Sequence, residues 1–201
     1  MAQAEFTTDP YGAQGDHGIE LRCLENRYVV GVTGASGSIV DRVQLQCARL
    51  GADGMALPAD ATSVSVGGNG GAPATVTCSA NAFARSITVT LNQAKKQVRV
   101  LNAGCASATG DGAGFAIGGP NEDQSIIPGN NYIWYRSWNC PANMAVTGLK
   151  VRYGQHVNAI GVICNVIVRQ AAPPPSATTR PPGPARPGEA VILGQPNGGS
   201  T

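Results

Sequence analysis

Six cysteines, Cys23, Cys47, Cys78, Cys105, Cys140 and Cys164, are the residues best equipped for chemistry in this 201-residue chain. No two of them form a Cys-x-x-Cys pair, the spacing used by zinc sites and thiol redox motifs. His17 and His156 are the only histidines, too few to complete a Cys/His metal site. What remains for six such cysteines is a disulfide framework, which implies an oxidising compartment. Catalysis finds no foothold: no nucleophile sits in a motif with a base, and the adjacent Glu122 and Asp123 point apart on a strand instead of forming an acid/base pair. The glycine-rich stretches Gly67-Gly68-Asn69-Gly70-Gly71 and Gly118-Gly119-Pro120 lack the spacing of phosphate-binding loops and open no helix. Neither enzyme activity nor a cofactor is expected, and His156, the only histidine near a candidate loop, reads as a solvated turn residue, with contact to a ligand as the alternative.

The cysteines also reveal how the chain is organised. Six allow 15 pairings, and spacing alone does not choose among them. The segment from Cys23 to Cys47, however, aligns without a gap with the segment from Cys140 to Cys164. Gly31 falls on Gly148, Gly37 on Gly154, Val40 on Val157, Asp41 on Asn158, Val43 on Ile160 and Leu45 on Val162. The stretch from Cys78 to Cys105 fits the same scheme with three extra residues and without the glycines, as a diverged third copy. One cysteine pair per copy predicts the bridges Cys23–Cys47, Cys78–Cys105 and Cys140–Cys164.

The elements that would hold these residues are strands. Glycine (27) and proline (14) are abundant, and no long stretch repeats its apolar residues at helical spacing. In Ile39 to Gln46, Val43 and Leu45 point one way while Arg42, Gln44 and Gln46 point the other, and Ser86 to Leu91 alternates in the same manner. Three such half-buried units can bury their inner faces against one another, which a single unit cannot do. Only 13% of residues are charged and the formal net charge is +2, so the chain lacks the electrostatic footprint of a nucleic-acid binder. No apolar stretch approaches the roughly 20 residues of a membrane-spanning helix.

At this point the residues resemble known groups. Val30-Gly31-Val32-Thr33-Gly34-Ala35-Ser36-Gly37-Ser38-Ile39-Val40-Asp41-Arg42-Val43 resembles the strand-turn-strand signature of jacalin-related lectins, in which a glycine-rich hairpin leads into Gly-x-x-x-Asp and an apolar strand. The cysteine-bounded copies, above all from Cys140-Pro141 onward, resemble vitelline membrane outer layer proteins. The resemblance spans about residues 11–170 and implies an all-β fold, a β-prism of three four-stranded Greek-key sheets with pseudo-threefold symmetry; a β-trefoil is the alternative. It further implies a glycan or polysaccharide partner, bound by Gly37, Ser38, Val40 and Asp41, with a second site at Gly154, Gln155 and Asn158. The aspartate would accept hydrogen bonds from sugar hydroxyls and the glycine would let the backbone approach. Lys95 and Arg99 stand at these positions in the middle copy, which on this reading binds no sugar. Asp41 and Asn158 have a second reading, as residues that merely stabilise their own turns.

Both tryptophans lie in Tyr132-Ile133-Trp134-Tyr135-Arg136-Ser137-Trp138. Alternation puts Tyr132, Trp134, Arg136 and Trp138 on one face, to stack on sugar or, for at least one tryptophan, to fill core. Residues 1–10 are expected to be a segment following a removed signal peptide, because Ala2-Gln3-Ala4 has the small-x-small form of a cleavage site. Residues 11–170 form the repeat domain. From Ala171 onward the chain is proline-rich and extended, with a short apolar segment at Ala190–Leu193 able to join a neighbour's sheet edge and so mediate self-association. The functional expectation is a secreted or cell-surface carbohydrate-binding protein. The alternative is a structural subunit of an extracellular layer or filament, linked through residues 171–201.

Overall fold

The computed structural model describes residues 4–92, 96–107, 110–118 and 135–168. Tyr132, Trp134, Lys95, the Glu122–Asp123 pair and the whole proline-rich tail lie outside the described residues.

Among the described residues, the alternation around Val43 and around Val89 falls on strands. β1 (Glu5–Thr7), β2 (Tyr11–Gly12) and β3 (His17–Arg22) precede the first long hairpin, β4 (Tyr28–Ser36) and β5 (Val40–Ala48). Then come β6 (Ala61–Thr62), β7 (Val66–Gly67) and β8 (Ala72–Thr77). The second hairpin is β9 (Phe83–Leu91) with β10 (Val98–Ser107), followed by β11 (Gly110–Gly118) and β12 (Tyr135–Asn139); the third is β13 (Met144–Tyr153) with β14 (Val157–Val166).

Each hairpin is the centre of its own antiparallel sheet. The first sheet runs β6-β5-β4-β8 with β7 also on β5, the second β11-β10-β9-β12, and the third β1-β14-β13-β3 with β2 also on β14. Among the described residues no ladder joins one sheet to another, so the barrel of a β-trefoil is absent and the fold is the three-sheet prism. The third sheet takes its outer strands from the N-terminus and its hairpin from the other end of the domain, which closes the ring of copies. Consequently β1, at residues 5–7, is already part of this sheet, ahead of the expected boundary at residue 11.

Two sheets hold five strands instead of four because their outer strand is interrupted. At the break, Ser63 and Thr8 substitute hydroxyls for ladder groups. Leu45 N–H donates to Ser63 Oγ and Val162 N–H to Thr8 Oγ1, both at 2.9 Å, while the Ser63 and Thr8 amides donate to the carbonyls of the same two residues, both at 3.1 Å.

The inner faces meet in one core that includes Val43, Leu45, Val89, Leu101, Val151 and Ile160, all buried. Removing each of these from water contributes about 1.5–3 kcal/mol. At the end of the prism where the hairpins begin, Tyr28, Val30, Leu50, Phe83 and Ala145 form a second, smaller cluster. Burial pushes the Tyr28 hydroxyl above its ordinary pKa, and the Val168 amide that donates to it at 2.6 Å pulls the other way.

The three bridges are Cys23–Cys47, Cys78–Cys105 and Cys140–Cys164, as the alignment of copies predicts. In each copy the first cysteine leads into a tight turn whose third residue after it is an asparagine in the left-handed region: Asn26 at φ 57°, Asn81 at 67° and Asn143 at 61°. Asparagine tolerates that conformation better than most residues.

Candidate functional site

Asp41 is the second residue of β5, just after the turn closed by the Gly37 amide donating to the Ile39 carbonyl at 3.0 Å. The third copy repeats this turn, with Gly154 N–H donating to His156 O at 3.0 Å. The second copy closes a longer turn through Asn92 N–H to Gln97 O at 2.9 Å, which accommodates its extra residues. All three turns lie at the same end of their hairpins.

Between them is an open hollow of about 440 Å³, lined by Gly37, Ser38, Asp41, Asn92, Gln97 and His156, with Gly71 reaching in from the loop before β8. Every copy thus supplies part of one site. Asp41 is only 5% exposed, and its Oδ1 stands 2.9 Å from Nδ1 of His156. This corrects the expectation for His156: it is a half-buried partner of Asp41 from another copy, not a solvated turn residue. It also bears on the structural reading of Asp41, since the recorded partner of the carboxylate is a side chain 115 residues away and not the backbone of its own turn.

Asp41 accounts for Gly67, Gly70 and Gly71 of the loop before β8, the last two through its carboxylate. A Cβ on Gly70 would come 2.6 Å from Asp41 Oδ1, and one on Gly71, at φ +72°, would collide with Oδ2 and come 2.7 Å from the Ser36 nitrogen. Only glycine leaves that approach open. Gly67 (φ +114°) lies against the carbonyl of Asp41, while the amide of Gly68 donates to that carbonyl at 2.9 Å. The third copy has a matching loop, with Gly12 (φ +140°) against the Asn158 carbonyl and Ala13 N–H donating to it at 3.1 Å.

The other expected residues divide. Gly37 and Ser38 are exposed at the hollow, whereas Val40 is fully buried and does not line it. Gly154 and Gln155 share the turn with His156, and Gln155 is exposed. Asn158 is committed to its own loop: its Nδ2 donates to the Gln14 carbonyl at 3.0 Å, and its buried Oδ1 has no partner. The two positions that align in sequence are therefore unlike in the fold. Arg99, the counterpart in the middle copy, is the second residue of β10 and carries Gly118 (φ +143°) against its carbonyl. Trp138 packs partly buried against the core. Its ring meets Tyr11 edge-on at 6.5 Å, and Arg136 lies over the same Tyr11 ring at 5.8 Å, so alternation placed these two side chains correctly on one face.

Sequence reasoning misses Asn92 and Gln97 as members of the hollow and gives His156 a ligand contact only as the alternative to a solvated turn. The available signal for His156 was its place in the turn aligned with Gly37–Val40; what that signal does not carry is which copy's carboxylate it meets.

No family model and no curated protein matches the chain. Solved structures do. Artocarpin in complex with mannotriose matches with a TM-score of 0.56 at 15% identity, over 82% of this chain and 99% of that one. Frutapin, a lectin from Artocarpus incisa, matches with 0.55 at 16% identity, over 83% and 100%. Malaysian banana lectin matches with 0.53 at 16%, over 80% and 98%. At these identities the likeness establishes the fold, a jacalin-like β-prism. The resemblance to vitelline membrane outer layer proteins has no counterpart among these structures.

Proposed function

We propose that the protein binds carbohydrate, without chemical turnover, in the hollow around Asp41. The observation that carries this reading is the convergence of a carboxylate, the glycine loop Gly70–Gly71 and turns from three copies on one open, polar-lined hollow. A carboxylate is suited to pairs of sugar hydroxyls because it accepts several charge-assisted hydrogen bonds. Asn92 and Gln97, which have both donors and acceptors, supply the mixed polarity that a hydroxyl-rich ligand needs. His156 holds one carboxylate oxygen, leaving Oδ2 beside Gly71 for the ligand. Artocarpin, of the same fold, was solved with mannotriose, which makes mannose oligosaccharides the first ligands to try. Asn158, whose amide is spent on Gln14, belongs to loop support and not to a second sugar site. Three disulfides suit a protein that works outside a reducing cytosol.

A glycan array with the oxidised protein tests the proposal. Wild type and Asn158→Ala bind the same glycans, while Asp41→Ala loses them with an unchanged circular dichroism spectrum. Equal binding by Asp41→Ala, or no glycan retained by the wild type, sinks it.

A further inference from the structure

The three copies share a β-bulge that the middle copy uses differently. Seven residues after its first cysteine, each copy has one residue that the ladder to the partner strand skips: Val30 in β4, Arg85 in β9 and Thr147 in β13. A bulge leaves its extra residue unpaired and re-aims the side chain. Val30 spends that freedom on the apolar cluster around Tyr28. Thr147 is buried and accepts a hydrogen bond from Asn165 Nδ2 at 2.8 Å. Arg85 has neither solution: its Nε is buried with no hydrogen-bond partner, and among the described residues no carboxylate forms an ion pair with it.

The surroundings of Arg85 differ in the same direction. Where the other copies place Gly31 and Gly148 after the bulge, the middle copy has Ser86; where they place Gln46 and Ile163 opposite, it has Gly104. A Cβ on Gly104 would collide with Ser86 Oγ, so the pair has exchanged bulk for a hydroxyl. Asn139 of β12 lies across from Ser86 on the other side. Arg85, Ser86, Gly104 and Asn139, with Cys105 and Cys140 of two separate bridges as walls, line an open hollow of about 540 Å³. The corresponding hollow in the third copy holds about 200 Å³, and its arginine, Arg22, is already paired with Glu5 and Glu20, both at 2.7 Å.

We propose that the hollow at Arg85 is an anion site, taking an oxyanion group such as a sulfate, either free or carried on a saccharide. The guanidinium offers a planar fork of donors, which matches two oxygens of such a group better than a point charge does. The Ser86 hydroxyl and the Asn139 amide are neutral donors to the remaining oxygens. β9 separates Arg85 from the turn at Asn92 by seven residues, about 20 Å of extended chain, so the site is independent of the Asp41 hollow and does not rest on sugar binding there.

The test is a titration of the oxidised, 15N-labelled full chain with sodium sulfate at constant ionic strength in chloride, repeated with glucose 6-sulfate and with glucose. The Arg85 Nε–Hε signal and the amides of Ser86, Gly104 and Asn139 are expected to shift saturably with both sulfated probes. Arg85→Val, the residue found at the same bulge in the first copy, abolishes the saturation. Arg85→Lys keeps the charge but loses the fork, and weakens binding about tenfold. Equal affinity for the two sulfated probes identifies the free ion as sufficient, and tighter binding of glucose 6-sulfate identifies a saccharide-borne group; both support the site. Shifts that rise linearly without saturation, that persist in Arg85→Val, or that spread evenly over other exposed arginines overturn it.

Discussion

Replacing each cysteine pair in turn by alanines probes the threefold architecture quantitatively. The bridges span 24, 27 and 24 residues, so the chain-entropy account gives nearly the same value for all: about 3.5 kcal/mol each at 25 °C. Alanine is the right replacement because Cys47 and Cys164 are fully buried, and serine would add the separate cost of a buried hydroxyl. For a domain of this size each kcal/mol corresponds to about 2–4 °C, so Tm should fall by about 7–14 °C in every variant. Differential scanning calorimetry of the oxidised protein and the three double variants provides the comparison. A variant whose Tm falls by less than about 2 °C, below 1 kcal/mol on that scale, would refute the claim that each copy depends on its own bridge to the same degree.

Other consequences follow from single contacts. Gly71→Ala pushes a methyl into Asp41 Oδ2 and the Ser36 backbone at a positive φ; it should abolish glycan retention and lower stability by about 1–2 kcal/mol in urea unfolding. His156→Ala releases the Asp41 carboxylate and should weaken glycan affinity by about 3- to 10-fold by isothermal calorimetry, with His156→Gln recovering part of the loss. The Tyr28 hydroxyl titrates above its unfolded value, so the folded state holds this proton more tightly than the unfolded state does. Its contribution is complete below pH about 10 and is lost as pH rises through the higher folded value; urea midpoints measured from pH 8 to 12 should fall less steeply in Tyr28→Phe. Deleting residues 1–13 removes β1 and β2 from β14. Loss of the cooperative thermal transition is expected there, whereas a transition unchanged from wild type contradicts closure of the third sheet by the N-terminus.

The local physics of this fold is visible in the sequence. Val43 and Leu45 alternate with Arg42, Gln44 and Gln46 because one face of β5 is core and the other is not. The register between Cys23–Cys47 and Cys140–Cys164 reports the copies and hence the bridges. Asn26, Asn81 and Asn143 stood at one register position and carried a readable signal, since a residue that tolerates positive φ was retained three times. What the sequence does not carry is contact between distant segments. Nothing local says that His156 meets Asp41, that Glu5–Thr7 completes a sheet with Ile163–Asn165, or that Asn158 spends its amide on Gln14. Aligned positions share a backbone path; their side chains then meet different neighbours, because the outer loops that cover them, Gly67–Gly71 and Gly12–Gly15, differ in length and glycine content.

The most direct measurement is a 15N–1H titration of the oxidised chain with mannotriose, followed residue by residue. Saturable shifts confined to Gly37, Ser38, Asp41, Gly71, Asn92, Gln97 and His156 are the expected result. Shifts centred instead on Tyr11 and Trp138, or on the loop Gly12–Gly15 beside Asn158, would contradict the account of the site.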